Sequence, residues 1–280
     1  ACVQRFAEQV ILQPTLTLIA AGGLPSQRYI KEIGSTQQPL THGGITARNF
    51  RNKAGLGGAL SFLLETRMDP KDGQYPSFRN IQVRRSKQLF CIRQFLQVIS
   101  QQVPAILAAV AQLERSRSAP ECVLHADYVT PADAPTLRLP LRHIATQSVR
   151  EVEFVNQRHL HWQAPIARPR AYYVTGHTEL VAELCARHSL QFETLTDAYT
   201  ASVTGLRILQ LAEDEEGPIE VAAQRMQLQL APGCLRIPLD QPRGLFIPQL
   251  LEPASASSVF RYARFRDLCT SNQLLFVYRQ

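Results

Sequence analysis

Glu65 and the charged residues around it are the side chains of this sequence best placed to do chemistry. They close the run Gly55-Leu56-Gly57-Gly58-Ala59-Leu60-Ser61-Phe62-Leu63-Leu64-Glu65-Thr66-Arg67, glycine-rich at its start and almost wholly apolar in its middle. An apolar run bounded by glycine and polar residues is the signal of a buried strand. Side chains alternate along a strand, so Ser61, Leu63, Glu65 and Arg67 share one face, and Phe62, Leu64 and Thr66 the other. Glu65 then stands at the end of a core strand, where α/β proteins tend to place their clefts. A bare carboxylate is too costly to bury there. Glu65 is therefore paired with Arg67 or a nearby arginine, or it is put to use.

Other groupings carry less. The polar loop before the run holds His42, Arg48, Asn49 and Arg51; such loops supply binding groups, and equally they are simply solvated. His159-Leu160-His161 puts two imidazoles on one face of a strand, which suits a metal site but is commoner on an ordinary surface strand. No HExxH or HxxE spacing and no Gly-x-Ser-x-Gly elbow occurs, which disfavours a serine hydrolase and leaves no complete metal site in view. Gly55, Gly57 and Gly58 precede a strand rather than join a strand to a helix, so they offer no helix N-terminus to a phosphate. Close backbone packing explains them better.

The bulk properties narrow the partners. The chain has 280 residues, 45% hydrophobic and 19% charged, enough for one large domain or two of ordinary size. Its formal charge of +7 suits an acidic partner or substrate carboxylates. The arginines are scattered, however, without a dense basic run or an aromatic ladder, and this disfavours nucleic-acid binding. No apolar run approaches the ~18 residues a membrane helix needs. The six cysteines form no CxxC pair and leave the redox compartment open. The chain opens as if in mid-helix and without an initiator Met, as an N-terminally truncated product would.

The elements that must position Glu65 read as α/β. An amphipathic helix over residues 1–12 ends at Pro14, and strands follow at 15–19 and 27–34. After a turn at 68–76, Ser77 caps a long helix over 78–115 that Pro104 should kink or split. A linker at 116–120 separates residues 1–117 from a mostly β region, 118–280. Its expected strands are 122–129, 136–141, 151–155, 170–174, 192–195, 202–211, 223–230, 234–238 and 245–250. A short helix over 177–188 and a closing helix over 256–268 complete the region.

Arg48-Asn49 and the run from Gly55 to Arg67 resemble the glutamate-bearing region of zinc carboxypeptidases of the M14 (carboxypeptidase A-like) family, most of all its bacterial branch. Arg170-Ala171-Tyr172-Tyr173-Val174 and the stretches at 238–242 and 250–253 resemble the C-terminal part of those bacterial proteins. The resemblance implies the second half of a mixed-sheet carboxypeptidase-like α/β domain, at 1–117, followed by a β-rich accessory domain. It implies hydrolysis of C-terminal peptide bonds, with a peptide or amide bearing a free carboxylate as substrate, and a periplasmic or secreted location. Glu65 would be the general base and Arg48, with Arg67 second, the clamp on the substrate carboxylate. Zinc would be the cofactor, lowering the pKa of a bound water. The family takes its zinc ligands from an HxxE motif and a later His upstream of the glutamate. Only 64 residues precede Glu65 and none forms HxxE, so those ligands are not in this chain, which alone would not be expected to hydrolyse peptides. An amidoacid deacylase of the same superfamily, or a non-catalytic binding module with a structural Glu65, are the competing readings.

Overall fold

The computed structural model describes residues 2–66, 81–116, 119–143, 145–211 and 219–280, with the backbone alone at 2 and 114–116. Helices α1 (Cys2–Phe6) and α2 (Gln13–Ala21) are joined by a π-helical stretch, Ala7–Leu12. Then come α3 (Phe50–Leu56), α4 (Ile81–Gln101) and α5 (Val103–Ser116). Strands β1 (Glu121–Val129), β2 (Thr136–Arg142), β3 (Val149–Val155), β4 (His159–Ala167) and β5 (Ala171–Val174) precede α6 (Thr178–His188). The chain closes through β6 (Glu193–Thr194), β7 (Tyr199–Gln210), β8 (Glu220–Leu230), β9 (Leu235–Pro238), α7 (Phe246–Leu251), the 3-10 turn Val259–Arg261, α8 (Ala263–Arg266) and β10 (Leu274–Arg279). Helix and sheet are both well represented, as an α/β reading requires. All ten strands among the described residues lie beyond residue 120.

Two compact units divide the chain. The first holds residues 1–44, 58–116 and 128–161, the second 45–57, 117–127 and 162–280. The division expected near 117 is thus one of five crossings, after residues 44, 57, 116, 127 and 161.

In the first unit the expected strand at 15–19 is helix. Pro14 falls at the first turn of α2, where its missing N–H costs little. The wider π-helical stretch just before it takes up the clash a proline ring makes with the carbonyl four residues back. Thr15 and Thr17 return their hydroxyls to the carbonyls of Ile11 (2.7 Å) and Gln13 (3.0 Å), so their alternation serves a helix. Residues 27–34 form no strand; nearby Leu40 makes a lone parallel bridge to Asn156. Leu40 packs with Leu139 and Phe154 of the β2–β3 hairpin in a small buried cluster. The long helix is split as its proline requires: α4 and α5 meet at Gln102 with an 80° bend, and Pro104 is the second residue of α5. The turn at 68–76, the cap Ser77 and the start of the helix at 78 lie outside the described residues.

The second unit is built on one antiparallel sheet of six strands, ordered β6-β9-β5-β10-β7-β8. β5 lies between β9 and β10, and all four of its residues are buried. Tyr172 and Val174 face a core shared with Val181 and Cys185 of α6, while Tyr173 faces the other cluster with Val203 and Leu230. The face exposed to each cluster switches along β7, from Ala201 and Val203 on one side to Leu206 and Ile208 on the other. Gly205 sits at that switch, beside a register shift in the pairing of β7 with β10. A Cβ there would stand 3.1 Å from Leu274 and 3.2 Å from the sulfur of Met226, a tight fit that those side chains would have to shift to admit. Residues 245–250, expected as a strand, are mostly helix α7: nearly every side chain is apolar and buried, so burial gives no period to read. The closing helix at 256–268 is instead a 3-10 turn and a short helix, and β10 fills a stretch in which the sequence suggested no element.

Candidate functional site

Glu65 does not lie on a paired strand. Residues 50–56 are helix α3, and 59–66 run without a ladder partner among the described residues. The correction has a physical cause, since an apolar run makes a strand only when neighbouring backbone takes up its N–H and C=O groups. The alternation itself is present. Phe62, Leu64 and Thr66 are half-buried, whereas Leu63 and Glu65 are exposed. The inner face is held on α4: Phe62 packs edge-to-face on Phe95 with ring centroids 5.3 Å apart, and Gln88 donates to the Leu64 carbonyl at 2.9 Å. Glu65 is consequently a solvent-facing carboxylate at the end of an anchored segment, not a buried one.

Arg48 and Glu65 belong to different units, and Arg67 lies outside the described residues. The Arg48 guanidinium sits 5.6 Å above the ring of Tyr262, a cation–π arrangement. Two contacts tie this part of the chain to its unit: Ala47 donates its N–H to the Ser257 hydroxyl at 2.8 Å, and the Lys53 ammonium lies 5.8 Å from the Phe246 ring.

His42 is accounted for structurally. Its Nδ1–H donates to the Tyr29 carbonyl at 2.6 Å, its ring meets Tyr128 edge-on, and burial pulls its pKa down. His159 and His161 are exposed on β4, as an ordinary surface strand would place them. Among the described residues, no group of three or more His, Cys, Asp or Glu side chains could hold a metal.

The most tightly organised polar group was not read from the sequence. Glu252 is fully buried, with its Oε1 accepting from Tyr172 Oη and from Arg279 Nε, each at 2.6 Å. Arg279 Nη2 closes the fork on Oε2. Burial and then the neighbouring carboxylate push the Tyr172 hydroxyl pKa well up. Burial alone would lower the pKa of Arg279, but its bonds to Glu252 outweigh that and raise it. Beside this pair Arg261, itself buried, donates through Nε to the Ser255 carbonyl at 2.9 Å. A Glu close behind a short apolar run and an Arg in the last strand were the available signals, but nothing in their spacing joins them. Against known proteins, the chain matches no family model, no curated protein and no solved structure.

Proposed function

We propose that the chain is the C-terminal portion of a zinc metallocarboxypeptidase of the M14 type, with Glu65 as its general base. The observation that carries this reading is the Glu65 carboxylate, turned to solvent at the end of a segment with strand-like alternation whose inner face is anchored on α4. An accessible carboxylate on an anchored backbone is what proton transfer needs. Glu65 would take a proton from the attacking water as its oxygen bonds to the scissile carbonyl carbon. The same proton would pass to the amide nitrogen as the C–N bond breaks, and the water's second proton would follow to the amine, leaving an ammonium and a carboxylate.

The ligands of the zinc ion would come from sequence upstream of these residues, in an HxxE motif and a later His. Reading the frame upstream is the first test. Finding both motifs supports the assignment, and finding neither overturns it.

A further inference from the structure

The outer face of α6 and the corner formed by the 3-10 turn and α8 border an open hollow of about 180 Å³ that the reading above does not use. Its floor is apolar, made by Leu180 and Leu184 of α6 with Val259 and Phe265. Its rim is polar and carries Glu183, Arg187, Tyr262 and Arg264. Glu183 bridges the two arginines: Arg187 Nη2 donates to Oε1, and Arg264 Nη2 donates to Oε2. These bonds, with Arg264 the stronger influence, hold the Glu183 carboxyl below its usual pKa.

Charge and shape together say what such a hollow would take. Two guanidiniums and one carboxylate leave the rim with a net positive charge, and the Arg48 guanidinium over the Tyr262 ring adds to it. Each arginine commits one terminal nitrogen to Glu183, yet a guanidinium has five N–H donors, and both side chains are more than half exposed. The shared carboxylate, 81 residues from Arg264 in sequence, holds the two cations side by side, so less ordering is left for a ligand to impose. A volume of this size is enough for one ring or a short branched chain.

We propose that this hollow binds a small organic anion, its apolar body on Leu180, Leu184, Val259 and Phe265 and its carboxylate or phosphate head against Arg187 and Arg264. The site rests on the second unit alone and is independent of whether Glu65 acts as a base.

The test is titration of the whole chain with benzoate, phenyl phosphate and benzyl alcohol, followed by calorimetry or by shifts of the Phe265 and Tyr262 ring resonances. Benzoate or phenyl phosphate should saturate in the millimolar range or below, and their ratio tells a carboxylate site from a phosphate site. Benzyl alcohol, of the same shape but uncharged, should bind about tenfold more weakly or worse. Arg187→Gln and Arg264→Gln are surface changes that the fold should tolerate, and each should weaken the anions by about tenfold while leaving benzyl alcohol unaffected. The proposal is overturned if no probe saturates, if benzyl alcohol binds as well as benzoate, or if both variants bind the anions as the parent does.

Discussion

Arg279 grips both carboxylate oxygens of Glu252 inside the second unit, and Tyr172 donates to one of the same oxygens from the neighbouring strand. The pair links β10, the last strand, to the end of α7 and to β5 at the centre of the sheet. A charge with no solvent access is tolerable only because its partner and its hydrogen bonds are in place.

Removing one member should therefore cost far more than removing the pair. Glu252→Gln leaves the half-buried Arg279 charge unbalanced, and a loss of up to about 3 kcal/mol is expected. Glu252→Gln combined with Arg279→Met should recover a good part of that loss. Urea denaturation followed by near-ultraviolet circular dichroism measures both. Equal destabilisation by the single and double variants would show that the two side chains act separately.

Acid should weaken the second unit through His188. Burial, and then the nearby cations Lys53, Arg243 and Arg187, lower its folded pKa below 6.5. A depressed folded value means the protonated form is disfavoured in the native state, so the contribution is complete above pH 6.5 and is lost as pH falls through the folded value. His188→Gln should flatten that acid limb of a melting-temperature profile. A limb that keeps its slope in the variant would assign the acid loss elsewhere.

The thiols should be inert. Among the described residues Cys91, Cys122, Cys185, Cys234 and Cys269 are free, and burial pushes the Cys185 and Cys269 thiols up to about 11. A thiolate-specific reagent at neutral pH should modify these two only as fast as the chain unfolds. Fast labelling of either in native protein would contradict their placement.

How far the sequence could be read depended on whether each signal was local. Pro104 splitting the long helix, the helix at α6 and most strands of the second unit follow from nearest-neighbour patterns, and each is found within a few residues of its expected bounds. The failures are of two physical kinds. In Thr15 to Ile19 and in Phe246 to Leu251 the period misleads, because threonine hydroxyls can serve a helix and a wholly apolar segment has no face to show. At residues 59–66 the period was right and the structure wrong, since pairing depends on backbone that the segment itself does not contain. Glu252 and Arg279 escaped notice for a related reason: each looks like an ordinary surface charge until the sheet brings them together.

The most direct test of the proposed function compares the full-length protein with its Glu65→Gln variant for zinc content and for release of the C-terminal residue from a blocked dipeptide. With Glu65 as the base, zinc content should be equal in the two proteins, and turnover in the variant should fall by about 10² to 10⁴. Parent-like turnover in Glu65→Gln would remove Glu65 from the reaction, and a parent that neither binds zinc nor cleaves the substrate would contradict the peptidase assignment itself.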